Sequence, residues 1–248
     1  MHSNCGLFLT DTPPLRKLPD MTTRESLLHH IADAICALER PHPIRVGIDG
    51  LPASGKTTLA DELVAPLEAR GRPVIRATGD GFHHPREHRY QQGKTSPQGY
   101  YEDSFNHALL TESLLHPLGP DGNRLFRRAR FNFRIDEEVD SPTELAESHH
   151  ILVLDGLFLH RDTIRDHWDY SIFVHADFDV ITERAMGRDL DFYGHTDRVR
   201  ASFENRFIPG HKIYFDLDRP YHQADTVINN NDVHAPVITD PNTLQVAS

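Results

Sequence analysis

The nine residues GLPASGKTT have the spacing GxxxxGK(S/T), which is typical of a phosphate-binding loop. Two glycines let the backbone curl so that consecutive N–H groups point at one anion, and a helix that begins at the end of the loop presents its positive N-terminus to the same anion. The lysine bridges two phosphates of a nucleoside triphosphate, and the hydroxyl after it binds Mg²⁺. The sequence therefore predicts an ATP and Mg²⁺ site, with Lys56 also acting in catalysis, formed by Gly50, Leu51, Pro52, Ala53, Ser54, Gly55, Lys56, Thr57 and Thr58.

A second acid-bearing segment, ILVLDG, places Asp155 directly after four apolar residues. A carboxylate at the end of a buried strand holds Mg²⁺ in such sites, directly or through water. We expect Asp155 and Thr57 to be the metal ligands. The alternative is that Asp155 caps a helix beginning near Leu157. Asp49, just before the loop, is expected to accept hydrogen bonds from the loop backbone.

A third acid, Asp80, follows the next predicted strand in the stretch GDGFHH. In a doubly wound sheet that strand neighbours the phosphate loop, so the carboxylate would orient and deprotonate a substrate hydroxyl. The stretch ERAMGRD puts Arg184 and Arg188 four residues apart on one helix face, where both would reach the phosphates as catalytic residues of a lid at about 184–200. An ordinary exposed helix face is the alternative for the two arginines. Together these features predict a small-molecule kinase with a hydroxyl acceptor.

Several classes of protein are disfavoured by composition and by missing motifs. The stretch NNND at 229–232 lacks the lysine of a guanine-reading NKxD element, which argues against a GTPase switch. The formal net charge of −11 argues against a nucleic-acid surface. There is no apolar run of eighteen residues for a membrane span and no basic, apolar secretory signal, so we expect a cytoplasmic protein without a membrane partner. The oligomeric state is open, and a homo-oligomer is compatible with the sequence.

Alternating helix-period and strand-period segments position these residues and predict a single α/β domain, residues 22–248, after a flexible leader, residues 1–21. The expected fold is a doubly wound, mostly parallel sheet with helices on both faces and a helical lid. Strands are predicted at Ile44–Ile48, Pro73–Thr78, Ile151–Leu154, Tyr170–Val174 and Thr226–Ile228. Helices are predicted from Thr22 or Thr23 to Arg40, from Thr57 to about Gly71, at about Ser104–His116, at Phe178–Arg188 and over 196–217.

The histidine-rich stretch HHPREH could suggest zinc, but Pro85 disfavours a helix at His84, so His84 and His88 are not securely on one helix face. We expect His83 or His84 to line an acceptor pocket instead. If 126–134 is one extended segment, the period of two puts arginines on one face, suited to an acidic or phosphorylated acceptor. A solvated, charged edge is the alternative for that face.

The ordered segments GKTT, DGFHHP, YYEDSFN, LDGLFL, ERAMGRD and ENRFIPGHKIYF, spanning Arg45 to Asn230, resemble the uridine kinase and phosphoribulokinase family of P-loop kinases. The resemblance implies a P-loop NTPase-type fold, Asp80 as the base and Asp155 as the acid that assists metal binding. It favours a nucleoside acceptor of the uridine or cytidine type; a pantothenate or sugar-phosphate type acceptor and a non-catalytic ATP-binding regulator are the alternatives. The segment RARFNFRID lacks the histidine that the family's nucleoside kinases carry. Expected acceptor contacts are His83, Tyr101, Asp103, Arg130 and Arg134, and Arg206 and Lys212 are further residues that would approach the phosphates.

Overall fold

The structure is a computed structural model that describes residues 23–188 and 194–244 of the 248-residue chain. The predicted leader, residues 1–21, and residues 189–193 of the predicted lid lie outside the described residues. Ten strands are described: β1 Ile44–Gly50, β2 Val74–Thr78, β3 Leu125–Phe126, β4 Phe131–Asn132, β5 Glu137–Glu138, β6 Glu144–Leu145, β7 Ile151–Asp155, β8 Tyr170–His175, β9 Thr226–Asn229 and β10 Val237–Ile238.

Six of these strands form one sheet in the order β10-β9-β8-β1-β7-β2. The contacts from β9 to β2 are all parallel, and β10 pairs antiparallel with β9. The central strands β1 and β7 are buried along their whole length, as expected for strands covered by helices on both faces. Because parallel strands end at the same edge, the residues that follow β1, β2 and β7 meet there.

Helices connect the strands: α1 Arg24–Cys36, α2 Lys56–Glu68, α3 Arg86–Arg89, α4 Pro97–Asp103, α5 His107–Leu110, α6 Phe178–Arg188, α7 Thr196–Ser202, α8 Ile208–Asp218 and α9 Pro220–Gln223. A π-helical turn, Thr111–Leu115, continues α5, and another, Phe203–Phe207, joins α7 to α8. The first helix begins where the sequence indicates, since the Thr23 side chain accepts a hydrogen bond from the Ser26 N–H. Among the described residues, no helix is long and apolar enough to cross a bilayer.

The two faces of the sheet carry separate apolar cores. On one face Leu27 of α1 and Leu63 of α2 pack with Val46 of β1. On the other face one cluster surrounds Phe158 and Tyr214, and another surrounds Leu114. Gly47 of β1 points to this second face and lies against the Trp168 ring, where an added Cβ would stand 2.6 Å from a ring carbon. The predicted doubly wound fold with helices on both faces is thus confirmed.

The structure excludes one conditional expectation and one alternative from the sequence. Residues 126–134 do not form one extended segment, because the chain bends between two short strand pairs, β3 with β6 and β4 with β5. No described helix begins at Leu157 after Asp155; the chain turns through Phe158, whose φ is 62°. A positive φ at a non-glycine residue is incompatible with a helix starting there, so Asp155 is not a helix cap.

Candidate active site

The loop predicted to bind phosphate leaves the carboxyl edge of the sheet between β1 and α2. Gly55 has a φ of 96°, and a Cβ there would lie 2.4 Å from the Asn230 side-chain nitrogen. Only glycine allows both the left-handed conformation and this close approach. The same Asn230 nitrogen donates a hydrogen bond to the Ser54 carbonyl at 2.6 Å, so the end of β9 holds the loop from one side.

Asp49 holds the loop from below. It is fully buried, and its Oδ1 accepts the Gly50 N–H at 2.7 Å. Its Oδ2 accepts from the Tyr214 hydroxyl at 2.5 Å and lies 3.0 Å from His160 Nδ1. Burial alone would raise the pKa of Asp49, but the hydrogen bonds and charge of His160, and the bonds from Tyr214 and Gly50, outweigh it and lower the pKa. Asp49 is therefore the loop-backbone acceptor that the sequence indicates.

Both predicted metal ligands lie together. The Thr57 hydroxyl donates to Asp155 Oδ2 at 2.5 Å, and the Asp155 side chain is 4% exposed. Hydroxyl and carboxylate oxygens are the hard donors that Mg²⁺ prefers, and Mg²⁺ sites use few protein ligands beside phosphates and water. The two residues therefore fit a magnesium ion. A third residue, Arg76, places Nη2 2.7 Å from the other Asp155 oxygen, Oδ1, a contact that no sequence motif indicates.

Charges from three elements converge on Lys56. Its ammonium donates to the Leu51 carbonyl at 3.3 Å. Desolvation lowers the pKa of Lys56, the negative charges of Asp155 and Asp80 act in the opposite direction, and the Arg188 charge adds to the lowering. The candidate base, the candidate metal carboxylate and one lid arginine therefore all act electrostatically on the loop lysine.

Asp80 lies in a 3₁₀ turn, Gly79–Phe82, that directly follows β2. Its carboxylate is exposed, and its carbonyl accepts a hydrogen bond from His83 Nδ1 at 3.0 Å. The His83 ring contacts Phe105 at 4.3 Å and stacks on Phe133 at 4.7 Å between centroids. Burial lowers the pKa of His83, so this imidazole is neutral at pH 7 and forms part of an aromatic wall beside Asp80.

The two lid arginines have different positions. Arg184 donates from Nη2 to the carbonyls of Asn230 and Asn231, both at 2.9 Å, and is thereby fixed to the end of β9. Arg188 is the residue whose charge reaches Lys56. Arg188 therefore acts electrostatically on the loop lysine. Arg184 instead binds the segment that follows β9, where Asn230 donates a hydrogen bond to the loop.

The residues expected to contact the acceptor are divided in the same way. Tyr101 and Asp103 are buried: the Tyr101 hydroxyl donates to Asp218 at 2.6 Å, and Asp103 accepts from Gln92 at 2.9 Å. Their side chains have structural partners, whereas His83 contacts Asp80 directly, and the Arg130 N–H donates to the carbonyl of the neighbouring Gly81 at 2.8 Å.

The arginines of the arginine-rich stretch have separate partners. Arg128 donates twice to Glu144, at 2.7 and 2.8 Å, and Arg130 donates to the Ser113 hydroxyl at 3.3 Å. Arg134 is exposed, with its guanidinium carbon 5.7 Å from the Phe133 ring centroid. Because the expected extended segment bends, these arginines do not line one face.

Arg206, which the sequence predicted near the phosphates, lies against two tyrosine rings. Its guanidinium carbon lies 5.0 Å from the Tyr90 ring and 5.2 Å from the Tyr100 ring, and its charge acts on His83. Among the described residues, its buried Nε has no hydrogen-bond partner. The position follows from the π-helical turn Phe203–Phe207, a detail that a helical period in the sequence does not reveal.

The comparisons with known proteins agree with this geometry. The Phosphoribulokinase / Uridine kinase family model matches residues 45–234. The chain is 29% identical over 161 residues to a uridine kinase of Leuconostoc citreum, covering 63% of this chain and 73% of that protein. The structure of a possible uridine kinase from Bacillus stearothermophilus is similar with a TM-score of 0.64 and 22% identity, over 82% of this chain and 97% of that one. D-glycerate 3-kinase from Cryptococcus neoformans has the same fold with a TM-score of 0.57 and 11% identity, over 86% of this chain and 99% of that one. The chain belongs to the phosphoribulokinase and uridine kinase family, and it is a kinase that phosphorylates a hydroxyl group.

Proposed function

We propose that this kinase transfers the γ-phosphoryl group of ATP, with Mg²⁺, to a hydroxyl of a nucleoside of the uridine or cytidine type. The observation that carries the proposal is the contact of the Thr57 hydroxyl with the Asp155 carboxylate, 2.5 Å apart at the carboxyl edge of the sheet, while the charges of Asp155, Asp80 and Arg188 all act on the neighbouring Lys56. Phosphoryl transfer depends on positioning and on neutralising charge, and this arrangement supplies groups for both.

On the phosphate side, the backbone N–H groups of the loop, which Pro52 lacks, and the N-terminus of α2 would bind the β-phosphate. Lys56 would contact the β- and γ-phosphates, and Arg188 would add a second positive charge. Thr57 and Asp155 would hold Mg²⁺, which when bound neutralises charge on the phosphates. Arg184 and Asn230 would act indirectly, by keeping the loop in shape.

On the acceptor side, the exposed Asp80 carboxylate would orient the attacking hydroxyl and accept its proton. The neutral His83 ring and Phe133 form an apolar, planar surface next to it. Such a surface suits a nucleobase, because every base has a face that stacks on aromatic rings. The uridine kinases among the relatives support the same acceptor class.

A second candidate acceptor is an acidic or phosphorylated hydroxy compound. Arg206 favours it, since the described residues offer no hydrogen-bond acceptor to its Nε while its charge reaches His83. A carboxylate or phosphate on the acceptor would supply that partner.

Both candidates are tested by one acceptor panel. ADP release is measured with nucleosides, pantothenate, sugar phosphates and glycerate, using the wild type, Asp80→Asn and the control Asp121→Asn, which changes an exposed acid in a distant turn. We expect uridine or cytidine to stimulate turnover. Asp80→Asn should keep its affinity for ATP and lose about 10³-fold in turnover, while Asp121→Asn should match the wild type. Near-normal turnover of Asp80→Asn would refute the base assignment, and stimulation by anionic acceptors alone would favour the second candidate.

A further inference from the structure

Arg76 contacts the candidate metal carboxylate and is used by no step proposed above. It lies on β2, opposite Val153 of β7, and its side chain is 22% exposed. Nη2 stands 2.7 Å from Asp155 Oδ1, and Nε donates to Asp61 Oδ1 at 2.8 Å. Nη1 donates to the Ala77 carbonyl. The guanidinium therefore bridges the carboxylate at the end of β7 and an acid on α2.

The contact between Arg76 and Asp155 is an ion pair without a well-aligned hydrogen bond. Asp155 Oδ2 accepts the Thr57 hydroxyl, whereas Oδ1 has no hydrogen bond of good geometry from any described group although Arg76 is close. The carboxylate is thus oriented by Thr57, and the directional bonds of Arg76 go to Asp61 and Ala77. Removing Arg76 should therefore remove a positive charge from Asp155 without releasing its orientation.

A magnesium ion held by Thr57 and Asp155 would lie within a few ångströms of this guanidinium. Two cations sharing one carboxylate repel each other, and the repulsion is strong where the carboxylate is buried. Asp61 gives the guanidinium a second anionic partner, 63% exposed, toward which it can turn as the metal binds. The more readily the guanidinium turns from Asp155 to Asp61, the more tightly Asp155 would hold the metal.

We propose that Arg76 acts through Asp155 and weakens metal binding there, and that Asp61 limits this effect by drawing the guanidinium away. The inference rests on the proposed Mg²⁺ and ATP site. The pair Arg76 and Asp61 then tunes the Mg²⁺ concentration at which the kinase becomes loaded. It acts through Asp155 and touches neither the phosphates nor the acceptor.

The test measures the affinity of a fluorescent ATP analogue in Mg²⁺ and in EDTA. The ratio used below is the affinity in Mg²⁺ divided by the affinity in EDTA. Arg76→Met should raise the ratio about tenfold, and Asp61→Asn should lower it by several-fold, because these changes act on the Asp155 charge in opposite directions. The control is Arg70→Met, which breaks an ion pair with Asp33 of similar length, 2.7 Å, and the same arginine exposure, 22%, away from the site. Its ratio should equal that of the wild type.

The outcomes distinguish a failure of the proposed function from a failure of the role proposed for Arg76. If the wild type binds no ATP analogue, the proposed function fails. If the wild type binds it and Arg76→Met lowers the ratio, Arg76 orients Asp155 and the inference is overturned; an unchanged ratio overturns it as well. Should Arg76→Met fail to fold, Asp61→Asn carries the test, because Asp61 is exposed on α2, and an unchanged or raised ratio in that variant contradicts the inference.

Discussion

Tyr214 ties α8 to the base of the phosphate loop, and its hydroxyl can be removed without changing the packing of the ring. The hydroxyl donates to Asp49 Oδ2 at 2.5 Å and accepts the His160 N–H at 2.8 Å, with every atom buried. A hydrogen bond to a charged group contributes about 1.5–3 kcal/mol, and a neutral one contributes about 1 kcal/mol. Asp49 keeps four other donors, and one of them is the His160 N–H at 3.3 Å, which therefore retains an acceptor. The loss is then mainly that of the bond to the charged group, so Tyr214→Phe should lower the free energy of unfolding by about 2–3 kcal/mol.

The assay is equilibrium unfolding in urea at pH 7.5, with the same slope required for all variants. Tyr170→Phe is the matched control, because the Tyr170 hydroxyl is also buried in part but its partner is the neutral Thr226 hydroxyl at 2.6 Å. It should cost about 1 kcal/mol. If Tyr214→Phe costs no more than Tyr170→Phe, Asp49 is not held as a charged acceptor, and the account of the loop base is wrong.

Two further predictions concern stability. Burial lowers the pKa of His211 to about 4, below its usual value near 6.5, so the stability that neutral His211 preserves above pH 6.5 is lost as the pH falls toward 4. Between pH 7 and pH 5, the free energy of unfolding in urea should therefore fall by about 2 kcal/mol less in His211→Gln than in the wild type. Parallel pH profiles of the two proteins would contradict this. Gly47→Ala should lower the free energy of unfolding by about 1–3 kcal/mol, because its Cβ would meet the Trp168 ring at 2.6 Å, and an unchanged melting curve would show that the ring moves freely.

The sequence predicts those parts of the molecule that depend on local pattern. Helix α6 begins at Phe178, where its apolar period indicates, and Gly55 and Lys56 are recognised because phosphate binding needs glycine and lysine at a fixed spacing. The bend within 126–134 was not predictable, because it depends on pairing with residues up to 145, beyond the reach of a period of two. Likewise Arg76 reads as an ordinary strand residue, and only the register of β2 against β7 places it beside Asp155.

The contact between Asn230 and the Ser54 carbonyl also bears on the order in which the protein is made. Ribosomes synthesise the phosphate loop early, and Asn230 follows Ser54 by 176 residues. Until β9 docks beside β8, the amide that shapes the loop at Gly55 is missing. A ligand stabilises only states that bind it, so a nucleotide that binds at this loop would not stabilise the growing chain before β9 has docked. The early part of the domain must then rely on its own apolar core, formed by α1, α2 and β1, until the last parallel strand completes the loop.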